Sequence, residues 1–143
     1  MMQRKCSSEA RLSHHARRAA ILAFTLLAFA ATSALAAPEK WEGYWAKTRK
    51  ECRYSDGPDS KTMIDLRNVE NGKPAPLYDQ YENHCRIDSH ATKGNATKLK
   101  LTCFEFWDDY RAKKNPRRDT VAITPLDQDR IHINGAAYIR CRK

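Results

Sequence analysis

The 143-residue sequence lacks every short motif that identifies a common enzyme class. It has no G-x-S-x-G, no H-E-x-x-H, no phosphate-binding glycine loop and no dinucleotide fingerprint. After residue 36, serine occurs only as Ser55, Ser60 and Ser89, all in segments predicted to be loops. We therefore predict that the protein is not an enzyme. A small hydrolase stays the alternative, because a pair of carboxylates assembled in space leaves no sequence motif.

A long hydrophobic run is also missing. The longest one covers residues 19–31, only 13 residues interrupted by Thr25, whereas a bilayer-spanning helix needs about 20. A basic head precedes this run and Ala34-x-Ala36 follows it, which is the pattern of a cleaved secretory signal. We predict a signal peptide over residues 1–36, with a signal helix, and a single β domain over residues 37–143. The general secretory route then places the mature chain in the periplasm or outside the cell.

Closely spaced cysteines are absent from the predicted mature chain. Its shortest gap is the 18 residues from Cys85 to Cys103, whereas structural zinc sites use pairs such as C-x2-C. An even number of cysteines in a short exported domain indicates disulfides, so we predict two bonds and neither metal nor cofactor. Three pairings are possible and the sequence does not choose among them. Our working pairing is Cys52–Cys85 and Cys103–Cys141.

The positive charge is moderate once the signal is removed. The whole chain carries a formal +9, but the signal holds 5 of its 26 basic and 1 of its 17 acidic residues, which leaves +5. This charge favours anionic surfaces, although an exported protein seldom meets nucleic acid. We expect a monomer whose partner is a protein or an anionic envelope component, with no membrane span after signal cleavage.

Alternating hydrophobic residues predict β-strands throughout the mature chain. The clearest strand covers Lys98–Trp107, where Leu99, Leu101 and Cys103 share one face. The last third alternates in the same way around turn residues, with Ala137, Ile139 and Cys141 placed inward. We predict an all-β fold, a small antiparallel barrel or sandwich of about 7–8 strands. The other predicted elements are a strand over residues 77–88, a polar loop over 89–97 and a short helical turn over 107–114.

The alternation changes phase after Cys103. A β-bulge there would turn Phe104 and Phe106 inward and expose Glu105 and Trp107. If Phe106 is instead exposed without a bulge, the aromatic face becomes the feature to explain.

A basic segment after this strand is the main surface-contact candidate. Its cations stand beside aromatic residues, which is typical of anion binding, but such charges also keep a hairpin tip soluble. The candidate contact residues are Trp107, Arg111, Lys113, Lys114, Arg117 and Arg118.

Three other patterns suggest sites more weakly. Glu82 and His84 share a strand face and could form an acid–base pair. The loop over residues 55–59 offers oxygen ligands but lacks the carboxylate spacing of a calcium loop. Trp41 and Trp45 could form a stacking platform for a sugar or a base, but we expect them to cap the core.

Five motifs together resemble small exported β proteins of proteobacteria. This resemblance covers nearly the whole mature chain and implies a periplasmic β domain without a particular mechanism. Within it, Gly43 and Trp45 resemble the G-x-W of lipocalin-like barrels, whose Trp closes one barrel end. Periplasmic lysozyme inhibitors are barrels of similar size, but their inhibitory motif does not match this sequence. The motifs are W-x-G-x-W at 41–45, C-x(3)-D-G-P at 52–58, Y-x(3)-C at 81–85, C-x-E-x-W at 103–107 and Y-x-x-C at 138–141.

From these observations we predict an exported binding or inhibitor-like module of unknown ligand. The alternative is an envelope-associated structural protein that binds an anionic polymer or lipid through its basic loop.

Overall fold

Ten strands and one short helix make up the part of the chain that the computed structural model describes, residues 37–142. The predicted signal segment, residues 1–36, lies outside it. A 3-10 turn over Glu51–Arg53 follows the first strand. The elements are β1 Gly43–Ala46, β2 Thr62–Asp65, β3 Val69–Glu70, β4 Lys73–Pro74, β5 Leu77–Gln80, β6 Asn83–Lys93, β7 Ala96–Phe104, α1 Trp107–Ala112, β8 Arg117–Pro125, β9 Arg130–Ile133 and β10 Ala136–Arg140.

Eight of the strands close into an antiparallel barrel, which confirms the predicted all-β fold and selects a barrel over a sandwich. The order around the barrel is β1-β10-β9-β8-β7-β6-β5-β2, while β3 and β4 form a separate hairpin. Inward-facing side chains fill the interior, as a small eight-stranded barrel allows. Trp41 and Trp45, 2% and 0% exposed, belong to this core, so the expectation that they cap it is confirmed.

One guanidinium organises the end of the barrel where β1 begins. Arg140 lies opposite Trp45 in the β1–β10 register, and its charge sits 4.2 Å from the centre of an indole ring. It donates hydrogen bonds to the carbonyls of Glu42, Lys40 and Gln128 at 2.8, 2.5 and 2.7 Å. Gly43 is required beside it, because a Cβ there would come within 2.8 Å of Arg140 Nη1, and its φ of +126° disfavours other residues.

The two Asn-Gly turns form as their chemistry requires. Asn71-Gly72 joins β3 to β4, and Asn134-Gly135 joins β9 to β10. All four residues have positive φ, which is the backbone that a two-residue hairpin turn needs.

The predicted strand over residues 77–88 is wrong, because the chain reverses within it. Tyr81 and Glu82 form a two-residue turn between β5 and β6, with Gln80 paired to Asn83. The turn lacks the usual Asn or Gly, and Glu82 itself adopts a φ of +52°. The polar loop predicted over 89–97 is also wrong, since β6 continues to Lys93.

The face assignment in the last strand is wrong as well. Tyr138 points into the core, 7% exposed, whereas Ala137 is exposed. The alternation also predicts that Cys141 points inward on this strand. Instead, Cys141 lies just after the end of β10 and bonds to Cys52 in the 3-10 turn that follows β1. The larger apolar area of the tyrosine therefore occupies the barrel interior.

Both disulfides form, but with a different pairing from the working one. The bonds are Cys52–Cys141 and Cys85–Cys103. Cys85 and Cys103 lie directly opposite each other on β6 and β7, and both are fully buried. The hairpin of β6 and β7, which turns at Gly94-Asn95 within the predicted polar loop, is what brings Cys85 beside Cys103.

The predicted bulge at Cys103–Phe104 is wrong. Both residues keep a regular register, opposite Cys85 and His84, and the irregularity on this pair of strands lies between Ile87 and Ser89 instead. Phe104 is buried on the outer face of the barrel by α1 rather than by the interior. Phe106 is 56% exposed, so the aromatic surface is a feature to explain.

The Cys52–Cys141 bond should stabilise the folded chain measurably relative to a variant that lacks it. Cys52–Cys141 spans 89 residues of sequence, so in the loop-entropy model its removal lowers the free energy of unfolding by about 4–5 kcal/mol. We expect denaturant titration of C52S/C141S to give this loss. Peptide mapping of the wild-type chain without reductant should recover Cys52 linked to Cys141, and a Cys52–Cys85 peptide would contradict the fold.

The contacts of Arg140 predict that lysine cannot replace it. Lysine keeps the charge but loses the planar fork that reaches three carbonyls, so Arg140→Lys should cost about 2–3 kcal/mol in unfolding free energy. Arg142→Lys is the matched control, because Arg142 is exposed and, within residues 37–142, its ion pair is with Asp129. Its expected cost is under about 1 kcal/mol. Equal losses by denaturant titration would show that Arg140 contributes only charge.

Candidate functional site

Helix α1 lies on the outside of the barrel over a second, small apolar cluster. Leu77, Phe104 and Tyr110 form this cluster, and Met63 packs against it. The Phe104 and Tyr110 rings meet edge to face at 5.6 Å. The helix ends at Lys113 in the left-handed conformation. A helix of six residues gains little from its own hydrogen bonds, so this packing fixes its position.

A histidine, a carboxylate and an indole are stacked beside the start of α1. His84 and Asp79 face each other across the β5–β6 hairpin, with Nδ1 and Oδ1 2.6 Å apart. The His84 ring stacks on Trp107 with ring centres 4.2 Å apart and planes inclined by 26°. The predicted Glu82–His84 pair is therefore wrong, because the partner of His84 is Asp79.

These groups form one wall of a cleft between the loop over residues 55–61, the Tyr81-Glu82 turn and residues 105–107. We call it the acidic cleft; it encloses about 290 Å³. Four carboxylates line it, against one lysine, Lys61. Three exposed aromatic side chains share the same lining. The carboxylates are Asp56, Asp79, Glu82 and Glu105, and the aromatic residues are Tyr81, Phe106 and Trp107.

The acidic cleft brings titratable groups together without completing a nucleophilic triad. Ser55 and Ser60 also line it, but within residues 37–142 neither hydroxyl hydrogen-bonds to His84, whose side-chain partner is Asp79. A serine nucleophile needs such a bond to its base. No group of three or more His, Cys, Asp or Glu residues in the described chain is placed to hold a metal ion.

The six residues of the predicted basic contact are divided among different places. Arg111 and Lys113 line a second pocket, on the β3–β4 side of α1. Trp107 lines the acidic cleft instead. Arg117 donates a hydrogen bond to Asn83 at 2.7 Å. The remaining two are Arg118, which bonds Asp88 and Thr102 on the outer face, and Lys114, an exposed residue that lines neither pocket.

The second pocket, which we call the basic pocket, contains residues that the sequence did not single out. Its charged and hydroxyl-bearing lining residues are Glu70, Lys73, Arg86, Tyr110, Arg111 and Lys113. Arg86 and Asp79 had no distinguishing signal, because a polar residue on the outer face of a strand is ordinary. Recognising the hairpin at Tyr81-Glu82 would have paired Asp79 with His84.

Comparison with known proteins gives no relative: no protein family, no curated protein and no solved structure matches the chain. Within residues 37–142, no helix is long and apolar enough to span a bilayer.

Two buried tyrosines predict an unusual alkaline titration. Burial, reinforced by Tyr138 and Asp119, raises the pKa of Tyr78, and burial with the nearby Glu70 carboxylate raises the pKa of Tyr110. Both hold their protons more tightly folded than unfolded, so stability is intact below the unfolded pKa of about 10 and falls above it.

The pH titration of the six tyrosines can be followed by tyrosinate absorbance at 295 nm. Part of this absorbance should appear only at the pH at which the chain unfolds. Tyr78→Phe and Tyr110→Phe should each remove part of that delayed signal. A single transition of all six near pH 10 in the folded protein would contradict the burial of both hydroxyls.

Proposed function

We propose that the protein is an exported binding module that holds a basic side chain of a partner protein in the acidic cleft. The observation that carries this proposal is the clustering of exposed aromatic residues. Six large apolar side chains are exposed among the described residues, and three of them, Tyr81, Phe106 and Trp107, line this one cleft. Exposed aromatic groups gathered around polar ones are typical of protein interaction sites.

The charge of the cleft selects the kind of partner. Four carboxylates and one lysine line the cleft, so its local charge is negative although the mature chain carries a net charge of +5. A lysine or arginine side chain of a partner would find carboxylates for its charge and the Trp107 face for its stem. Local complementarity of this kind sets specificity and association rate more strongly than the net charge does.

The cleft is held in place before any partner arrives. Asp79 and His84 belong to a tight hairpin, and the buried Cys85–Cys103 bond lies directly below it. Trp107 packs on both His84 and Tyr110, at 4.2 and 5.1 Å between ring centres. A site that needs no ordering on binding loses less conformational entropy. Two disulfides suit the oxidising compartment outside the cytoplasm.

A short arginine peptide tests the charge preference of the acidic cleft. We expect an acetylated tetra-arginine peptide to shift the indole N–H resonance of Trp107, and its citrulline counterpart, which lacks the charge, to leave it unmoved. Glu105→Gln should weaken peptide binding about fivefold or more, since it removes one partner of a charge-assisted contact. The matched control is Asp109→Asn, because Asp109 carries the same charge on α1 outside the cleft. Equal binding of the citrulline peptide would overturn the charge preference.

Site-specific photocrosslinking tests whether the cleft meets a protein in the cell. A photoreactive residue at Phe106 should give a defined protein adduct in the envelope fraction. The same residue at Ala137, which is exposed on β10 and does not line the cleft, should not give that adduct. The same adduct from both positions, or none from Phe106, would contradict a protein-binding cleft.

A further inference from the structure

We propose that the basic pocket is a second binding site, which takes a phosphorylated ligand. The pocket lies between the β3–β4 hairpin, strand β6 and helix α1, and it encloses about 690 Å³. This volume is in the range of small-molecule sites. It shares no lining residue with the acidic cleft, so the proposal stands apart from the proposed function.

The charge of the pocket is the first argument. Four cations line it, Lys73, Arg86, Arg111 and Lys113, against a single carboxylate, Glu70. A net charge of +3 in one concave surface attracts an anion that carries more than one negative charge. A phosphate monoester is such an anion, and guanidinium groups match the spacing of its oxygens.

Arg86 supplies the second argument. It is half-buried on the outer face of β6 and lines the same pocket as the β3–β4 hairpin. Within residues 37–142 no carboxylate lies within ion-pair distance of its guanidinium; the ion pairs there belong to other residues. A partly desolvated cation without a counter-charge is unfavourable, and a bound anion would remove that cost.

Tyr110 supplies the third and most specific argument. Its side chain is 3% exposed, and among the described residues its hydroxyl is a buried polar atom without a hydrogen-bond partner. A buried unpaired hydroxyl costs about 1–3 kcal/mol, so such groups call for an explanation. Burial raises the pKa of this hydroxyl most, the nearby Glu70 carboxylate raises it further without meeting hydrogen-bond geometry, and Arg86 lowers it. The hydroxyl therefore lies among the charged residues of the pocket, where Glu70 competes with a ligand for its proton. Because its pKa is raised, it stays protonated and can donate a hydrogen bond to a phosphate oxygen.

The arrangement assigns a role to each group. Arg86, which is half-buried, and Tyr110, which is buried, form the floor and bind the phosphate oxygens directly. Long-range attraction comes from three cations exposed on the hairpin and along α1, namely Lys73, Arg111 and Lys113. The attraction of Arg111 is reduced by its ion pair with Asp108. Glu70 repels the anion and lowers its affinity. Removing this carboxylate should therefore tighten binding, an effect that a merely basic surface would not show.

Titration with glycerol 1-phosphate, followed by NMR at the Arg86 side chain, tests the site. Arg86→Gln should weaken binding about tenfold or more, and Tyr110→Phe about threefold or more, because each removes a direct hydrogen bond to the phosphate. Glu70→Gln should tighten binding, since it removes the only opposing charge. Arg118→Gln is the matched control: it removes one exposed cation outside the pocket, and affinity should stay within twofold of the wild type.

Vesicles separate the two sources of such a phosphate. If the ligand is a lipid headgroup, the protein should bind vesicles of phosphatidylcholine mixed with phosphatidic acid, whose headgroup is a phosphate monoester, and Arg86→Gln should abolish that binding. If the ligand is a soluble phosphate ester, glycerol 1-phosphate should bind while both these vesicles and pure phosphatidylcholine vesicles do not.

Two results would overturn the proposal. One is the absence of any saturable shift at Arg86 with glycerol 1-phosphate at low ionic strength. The other is an equal effect of Arg86→Gln and Arg118→Gln, which would indicate general attraction to a basic protein. Thermal unfolding of Tyr110→Phe serves as a folding check, because the ring stays and only the hydroxyl is lost. Binding of the tetra-arginine peptide should be unchanged in the Arg86 and Glu70 variants, so the two sites succeed or fail separately.

Discussion

The barrel depends on a short seam between its first and last strands, and Arg140 reinforces that seam. Strands β1 and β10 pair at only two register positions, Trp45 with Arg140 and Ala46 with Ile139. Arg140 adds a stack on Trp45 and three bonds to carbonyls in segments on both sides of the seam. The Cys52–Cys141 bond ties the same two ends together. The Arg140 contacts and the disulfide both act at this seam, where the barrel has the fewest paired residues, and Gly43 leaves room for the Arg140 side chain.

Closing the barrel in this way leaves its outer face available for other contacts. The interior is filled by side chains, including Trp45, Ile64, Leu99, Ile123 and Ile131, each at most 1% exposed. A ligand therefore meets the outside of the molecule. The outer surface carries a second cluster under α1, and that cluster positions both the acidic cleft and the basic pocket. The packing of Phe104 and Tyr110 thus links the scaffold to both proposed sites.

Local sequence patterns predicted the parts of the fold in which local and tertiary preferences agree. The meander of β8 to β10 follows from alternation and from the Asn134-Gly135 turn, which needs no help from distant residues. The Tyr81-Glu82 turn could not be predicted in this way, because neither residue favours a turn and Glu82 adopts positive φ only within the assembled hairpin. That missed turn explains the missed Asp79–His84 pair. The wrong disulfide pairing has a different cause, because the β6–β7 hairpin that sets Cys85 opposite Cys103 lies where the sequence predicted a polar loop.

The faces of individual strands were predicted less well wherever both faces are covered. Phe104 breaks the hydrophobic alternation of β7, which suggested a bulge. It lies instead on the outer face of the strand, where α1 buries it, so both faces of β7 are apolar at that end. Tyr138 and Ile139 posed the same ambiguity, and the larger ring took the interior. Arg86 and Tyr110 carried no sequence signal as a pair, because 24 positions separate them and only the position of α1 on β6 and β7 brings them together.

The distribution of charge is more informative than its sum. A net charge of +5 over residues 37–143 would argue against a basic partner, since like charges repel at long range. Yet the two sides of α1 carry opposite local charge: four carboxylates and one lysine in the acidic cleft, four cations and one carboxylate in the basic pocket. Within about 8–10 Å, the screening distance at physiological salt, a ligand responds to the nearer set. A cationic side chain and a phosphate can thus be bound on opposite sides of one six-residue helix without competing for a residue.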